Sequence, residues 1–113
     1  MSHITTHVLD VSLGQPAANV PVILEAQSPN GQWIEAARGA TDNDGRLRDW
    51  TAAKAAPAGT YRLTFDISAY FAGRKIASLY PQIIIVFEVR DVQQHYHIPL
   101  LLSPFGYSTY RGS

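Results

Sequence analysis

Histidine and arginine supply the side chains whose types and spacing could support catalysis in this chain. His7 lies in a segment of alternating polar and apolar residues, and Arg46 follows a turn at 42–45. His95 and His97 are two residues apart near the other end of the sequence. A neutral histidine can take a proton from water near neutral pH, and a second histidine can orient it or return the proton. An arginine can stabilise an anionic substrate or an oxyanion, so these residues favour hydrolysis by activated water.

Other chemistries have weaker signals. The chain has no cysteine, no glycine-rich phosphate loop and no serine in a G-x-S-x-G motif, which argues against a covalent nucleophile. His95 and His97 share one face of a strand and could form half of a zinc site, with His7 as a third ligand. No carboxylate is clearly placed with them. Each residue also has an ordinary structural explanation, as a hydrogen-bonded strand histidine or, for Arg46, a solvated turn arginine.

The segment 95–113 is rich in side chains that could line a site. It reads as two strands joined by a tight Pro-Phe-Gly turn, and its aromatic residues predict an ordered rather than a frayed end. Strand alternation divides its second half into two faces. One face has Tyr107, Thr109 and Arg111, and the other has Ser108, Tyr110 and Gly112. Either face could close over a pocket together with Ser113.

The elements that position these residues are predicted to be mostly strands. The dominant period is two, and glycine and proline separate the segments. Strands are expected at 3–10, 20–27, 32–41, 47–50, 60–67, 82–90 and twice within 95–113. A loop is expected at 54–59, and one short helix at 68–73 with Ser68 as its N-cap. The near-continuous apolar run at 83–87 predicts burial on both faces, in a core or at a subunit interface. Seven or eight strands in this length indicate a β-sandwich.

Length and charge limit the classes of function. The chain has 113 residues, so it is expected to form a single domain, 1–113. Its core should be large enough to be stable without disulfides or a structural metal. Its nine basic and nine acidic side chains balance, which argues against nucleic acid or an anionic membrane as the main partner. The longest apolar run is too short to span a bilayer. The first residues lack the pattern of a targeting segment, so a cytoplasmic location is expected.

Several segments together resemble a known family. They are 4–10 with 14–17, the turn 41–46, 61–65 followed by 70–71, 80–81, 95–104 and the closing 110–113. In these segments the chain resembles the 5-hydroxyisourate hydrolases, the transthyretin-like enzymes of urate breakdown. The closing Tyr-Arg-Gly-Ser is the most specific element, because hormone-carrying transthyretins share the fold and lack that ending.

The resemblance implies an all-β, transthyretin-like sandwich of two four-stranded sheets with one short helix. It also implies a homotetramer, a dimer of dimers, whose active sites lie in the channel between dimers. By their match to the family motifs, the implied catalytic residues are His7, Arg46, His97 and Ser113. The implied substrate contacts are His7, Arg46 and Tyr110, whereas His95 matches the motif without a defined role.

The resemblance further implies the reaction. Water would attack a carbonyl of 5-hydroxyisourate and open its ring to 2-oxo-4-hydroxy-4-carboxy-5-ureidoimidazoline, without a cofactor. Which histidine is the base and which the acid stays open. The rival hypothesis is a non-catalytic transthyretin-type carrier of a small ligand, in which apolar or small residues would be expected at positions 7, 46 and 97.

Overall fold

The computed structural model describes residues 3–50 and 55–113 of the chain. Within these residues it contains nine strands and one helix. In chain order they are β1 (Ile4–Asp10), β2 (Gln15–Pro16), β3 (Pro21–Gln27), β4 (Trp33–Ala40), β5 (Arg46–Leu47), β6 (Gly59–Asp66), α1 (Ser68–Gly73), β7 (Gln82–Val89), β8 (Tyr96–Ser103) and β9 (Gly106–Thr109). No helix in the described ranges is long and apolar enough to cross a membrane.

The strands form two sheets packed face to face. The first has the order β2-β1-β8-β9, with β5 also paired to β1, and the second has the order β4-β3-β6-β7. The β1–β8 pair is parallel, and the other pairs are antiparallel. The predicted all-β sandwich with one short helix is confirmed. The first sheet has five strands rather than four because β2 and β5 each pair two residues along one edge of β1.

Alternate residues of the long strands fill the space between the sheets. Along β1, for example, Ile4 and Val8 are fully buried whereas His7 is not. The largest fully buried side chains come from both sheets and the helix and include Leu24, Phe65, Phe71, Ile83 and Leu100. Burying each such side chain contributes about 1.5–3 kcal/mol. This core fixes the faces of β1 and β8, and therefore the direction in which their polar residues point.

The apolar strand β7 corrects one prediction. Within this chain it is buried on one face only, because Ile83 and Val89 point into the core whereas Ile84 and Val86 are 42% and 58% exposed. Among the described residues, the exposure of Ile84 and Val86 shows that the outer face of β7 is turned to solvent in the single chain. Burial on both faces within the core is therefore wrong. An interface on the outer face stays a prediction.

The short helix and its surroundings differ in detail from expectation. α1 spans the predicted residues, but its N-cap is Ile67 rather than Ser68. The Ser68 hydroxyl instead donates to the carboxylate of Asp66, and Phe71 anchors the helix in the core. The strand expected at 47–50 is the shorter β5, and Trp50 packs into the core with its indole N–H donating to the Ile4 carbonyl. The expected loop at 54–59 begins at Lys54, which lies outside the described residues.

Candidate active site

The parallel pairing of β1 with β8 brings the two ends of the sequence together. Thr5 is the Cα partner of His97, and His7 is the partner of Pro99. Because Ile4, Thr6 and Val8 face the core or are buried, Thr5 and His7 lie on the opposite face of β1. His97 lies on that same face of the sheet, next to Thr5. The two predicted catalytic histidines therefore lie on neighbouring strands and the same face.

Arg46 reaches this face through β5, where it is the partner of His7. The turn before it is held by the carboxylate of Asp42, which accepts the backbone N–H groups of Asp44 and Arg46, each at 2.9 Å. The bond from Arg46 is the main cause that lowers the pKa of Asp42. Gly45 has φ +75° and its carbonyl accepts the Val8 N–H at 2.7 Å, which fastens the turn to β1.

A cavity of about 180 Å³ opens where these strands meet. The residues that line it include His3, Thr5, Arg46, Arg48, His95, His97 and Ser113. Larger clefts of about 510 and 630 Å³ lie on other surfaces, and among the described residues neither is lined by a histidine. The small cavity is therefore the place where the structure brings together Arg46, His97 and Ser113 from the predicted catalytic set.

Thr5 connects His97 of β8 with His95, the residue directly before that strand. Its hydroxyl oxygen lies 2.8 Å from Nε2 of His95 and 2.7 Å from Nδ1 of His97. Thr5 is only 4% exposed, so its side of both hydrogen bonds is shielded from water. Since Nδ1 of His97 is occupied, Nε2 is the nitrogen of that ring left for proton transfer.

The charge state of the two rings follows from their surroundings. Burial lowers the pKa of His97 below its usual 6.5. Repulsion from Arg46, and from the protonated forms of His95 and His7, lowers that pKa further. Burial also lowers the pKa of His95, with smaller contributions from His3 and Arg111. Both rings are therefore neutral near neutral pH, the form that can accept a proton.

His7 and Tyr110 lie apart from the cavity lining. Nε2 of His7 is 2.8 Å from the Asp44 carbonyl oxygen, so this nitrogen donates its N–H and Nδ1 is left free. Tyr110 is 56% exposed. Ser108 is the partner of Leu101, and strand alternation from Ser108 puts Tyr110 on the face of the sheet that also presents His97. This answers which face of the last segment turns toward the site.

The closing residues are fixed against β8. Gly112 donates its backbone N–H to the His97 carbonyl at 2.8 Å. The Arg111 guanidinium lies 4.3 Å from the centre of the Tyr96 ring and donates to Gln94 and to the His95 carbonyl. These contacts hold Ser113 at the cavity.

Sequence reasoning missed four residues of the cavity, His3, Thr5, Thr6 and Arg48. His3 stacks on His95 with ring centres 5.2 Å apart, and its Nε2 donates to the Arg48 carbonyl at 2.8 Å. The alternation of the first strand already put His3 and Thr5 on the face of His7. That shared face was the available signal, but it became informative only once the partner strand was known.

The zinc alternative receives no support from the geometry. Among residues 3–50 and 55–113, no three histidine, cysteine, aspartate or glutamate side chains are arranged to hold a metal ion. Proton transfer fits these residues better than metal ligation.

Known proteins resemble this chain along almost its whole length. The model of the HIUase/Transthyretin family matches residues 4–112. The 5-hydroxyisourate hydrolase of Salmonella typhimurium is 44% identical over 110 residues, covering 97% of this chain and 80% of that protein. The mouse 5-hydroxyisourate hydrolase is 41% identical over 113 residues, covering 99% of this chain and 96% of that protein.

Solved structures show that the fold alone does not separate the hydrolase from the carrier. The 5-hydroxyisourate hydrolase of Klebsiella pneumoniae has a TM-score of 0.87 and 38% identity, with full coverage of both chains. Sea bream transthyretin in complex with thyroxine has a TM-score of 0.90 and 31% identity, covering 96% of this chain and 93% of that one. One scaffold therefore serves two functions, and the side chains of the site have to distinguish them.

Proposed function

The chain belongs to the HIUase/Transthyretin family, and from that premise we propose that it is a hydrolase that opens the ring of 5-hydroxyisourate. The observation that carries the proposal is the cavity at which Arg46, His97 and Ser113 meet. It combines a neutral histidine with a permanent cation, which is what attack of water on a carbonyl requires. The relatives named as hydrolases, at 41–44% identity, support the same substrate.

The reaction needs only water and proton transfer. The water oxygen forms a bond to a ring carbonyl carbon, and the C–N bond of that cyclic amide then breaks. One proton leaves the attacking water and one reaches the departing nitrogen. The product is 2-oxo-4-hydroxy-4-carboxy-5-ureidoimidazoline, and no cofactor takes part.

The side chains divide these tasks between them. We assign the two proton transfers to His97, through Nε2, and to His7, through the Nδ1 that its bond to Asp44 leaves free. Arg46 stabilises the oxyanion and holds the anionic substrate. Tyr110 contacts the substrate, and Ser113 closes the cavity wall.

We also propose that the protein works as a homotetramer, a dimer of dimers. Among the described residues, β7 and β9 each end a sheet. Ile84 and Val86 are exposed on β7, and Tyr110 is exposed just after β9. Exposed apolar edges are the parts of a sheet that a second copy can cover. Assembly would bring a neighbour's residues toward His7 and Tyr110, which stand outside the cavity of one chain. The small-molecule substrate and the absence of a nucleic-acid or membrane partner stay predictions, as does a cytoplasmic location.

The carrier hypothesis is less well supported by the same site. A channel for an apolar ligand favours apolar or small walls. Here the corresponding positions have His7, Arg46 and His97, and the cavity also includes His3 and His95. Burying an apolar ligand against these groups would leave their polar atoms unpaired.

A coupled assay tests the proposed function. Urate oxidase generates 5-hydroxyisourate from urate, and its ultraviolet absorbance is followed with and without the protein. The expected result is decay well above the spontaneous rate, retained after exhaustive chelation of metal ions. Decay at the spontaneous rate would contradict the proposal, and loss of activity on chelation would revive the zinc alternative.

A further inference from the structure

The Thr5 hydroxyl lies between two imidazole rings. It is 2.8 Å from Nε2 of His95 and 2.7 Å from Nδ1 of His97, both within hydrogen-bonding distance. A threonine hydroxyl has one proton to donate, and its oxygen can also accept. When it donates to one ring, the other ring has to donate its own N–H to the same oxygen. The hydroxyl therefore connects the protonation of the two facing nitrogens.

The backbone fixes Thr5 for this role. The parallel register makes Thr5 the partner of His97, so the hydroxyl and the His97 ring are held by adjacent strands. The next residue, Thr6, also uses its hydroxyl, but toward the Ile98 carbonyl at 2.6 Å and without contact to either ring. Thr6 thus lines the same cavity as Thr5, but its hydroxyl is bound away from the two rings.

We propose that Thr5 is a positioning residue that donates to Nε2 of His95 and accepts from Nδ1–H of His97, and so keeps Nε2 of His97 unprotonated and available as the base. This inference rests on the proposed hydrolysis. The opposite arrangement, with Thr5 donating to His97, would place the proton of neutral His97 on Nε2. A ring in that form cannot accept a proton from water at the cavity.

The proton transfers in this arrangement need no reagent other than water. In the resting site the proton of His97 is on Nδ1, and that of the hydroxyl points to His95. Water gives one proton to Nε2 of His97 as its oxygen bonds to the carbonyl carbon, and the resulting imidazolium is stabilised by the Thr5 oxygen at Nδ1. The same proton then leaves Nε2 and passes by way of water to Nδ1 of His7, which gives it to the departing nitrogen. Thr5 is unchanged at the end.

Three variants separate positioning from a structural role. Thr5→Val keeps the shape and removes the hydroxyl, and we expect kcat to fall ~10–100-fold, the scale of an acid–base group that is present but wrongly protonated. KM should change much less, because Thr5 does not itself hold the substrate. Thr5→Ser restores the hydroxyl and should recover kcat to within a few-fold. Thr6→Val removes a buried threonine hydroxyl from the same strand and controls for lost stability.

Nitrogen NMR of the histidine rings gives the readout that a purely structural role would not move. In the wild-type protein without substrate, we expect Nδ1 of His97 to be protonated and both Nε2 of His97 and Nε2 of His95 to be unprotonated. Thr5→Val should give a mixture of tautomers at His97, whereas Thr5→Ser and Thr6→Val should keep the wild-type form.

Two results would overturn the proposal. One is a wild-type His97 protonated on Nε2, and the other is a Thr5→Val protein with wild-type kcat and an unchanged His97 tautomer. The NMR measurement needs no turnover, so it tests Thr5 even if the protein fails to accelerate hydroxyisourate decay. Failure of the proposed function and failure of this inference are therefore distinguishable.

Discussion

His97 is held from two sides, through its ring and through its backbone carbonyl. Its ring is bound by Thr5 of β1, and its carbonyl accepts the N–H of Gly112. Its neighbours Arg46 and His7 are positively charged or become so when protonated, and they help to keep the ring neutral. The residue is thus held in one place and in the form that accepts protons.

Replacing the acid–base and oxyanion groups should abolish most of the activity. For His7→Ala, Arg46→Met and His97→Ala we expect kcat to fall at least ~100-fold, the usual contribution of such groups. Arg38→Met is a matched control for the arginine, because Arg38 is exposed on β4 and paired with Glu35. Steady-state rates in the coupled assay measure the effect, and near-wild-type turnover by His97→Ala would refute its assignment.

The lowered pKa of His97 predicts the pH dependence of both activity and stability. kcat/KM should fall on acidification with a midpoint below the usual 6.5, because the base must be neutral. The unfolded chain binds protons first as the pH falls through 6.5, so the free energy of unfolding should decrease from there down to the lower folded pKa. Rate profiles and denaturant titrations at several pH values measure the two effects. A midpoint above the usual value would contradict the assignment.

At the scale of elements, two short segments place the catalytic groups on the sheet. The turn 42–45 docks on β1 through Gly45, where a Cβ atom would lie 2.3 Å from the Val8 carbonyl oxygen. The closing segment docks on β8 through Gly112, where a Cβ atom would lie 2.6 Å from Cδ2 of His97. Glycine is needed at both places because backbone or ring approaches too closely for a side chain.

Gly112→Ala tests the second contact. The added methyl group should displace the His97 ring or the closing segment, and we expect kcat to fall ~10-fold or more, since small misplacements of a catalytic group are costly. Gly73→Ala is the matched control, because no atom lies within 4 Å of the Cβ position there. Equal kcat values for the two variants would show that the close approach has no catalytic consequence.

The helix is tied to β1 by a buried pair of polar groups. The Tyr70 hydroxyl donates to Asp10 at 2.7 Å, and burial together with Asp10 raises the pKa of Tyr70 to about 12. Burial opposes ionisation of Asp10, but hydrogen bonds from Ser12, Tyr70 and the backbone lower its pKa overall. The stability that this carboxylate contributes is therefore present above its usual 3.8 and lost as the pH falls through the lower folded pKa.

Tyr70→Phe should destabilise the protein. It removes one donor from a buried carboxylate, which costs about 1–3 kcal/mol. Tyr107→Phe is the control, since Tyr107 is 45% exposed and contacts Tyr80 through its ring. Chemical denaturation above and below the acid range measures the difference, which should shrink at low pH where Asp10 is protonated. Equal midpoints at neutral pH would argue against the pair.

At the scale of the whole molecule, the exposed edges predict assembly. Sedimentation should give four times the 12.4 kDa mass of one chain. Val86→Asp, which adds charge to the exposed face of β7, should shift the distribution toward smaller species and lower kcat if neighbours complete the site. Asn30→Asp adds the same charge to the exposed turn between β3 and β4, away from β7, and serves as a comparison. A fully active monomer would contradict the proposed shared site.

Much of this architecture could be predicted from the sequence, but the pairing of distant strands could not. Alternation in 3–10 and 60–67 gave the strands and their faces because it depends only on neighbouring residues. The parallel pairing of β1 with β8 could not be found this way, since it joins residues far apart in sequence. Arg46, His97 and Ser113 were recognisable by type and motif, whereas Thr5 is an ordinary strand threonine until His95 and His97 are placed beside it.

That long-range pairing also has a consequence for how the protein folds. The hydrogen bond between Thr5 and His97 joins residues 92 positions apart, and β1 has no main-chain partner on that side until β8 is in place. Domains dominated by such contacts fold in about milliseconds to seconds, because loop-closure entropy is lost before the contacts form. During translation, β1 must therefore wait until β8 has been synthesised. Substitutions that weaken β8 should lengthen the time for which nascent chains depend on chaperones.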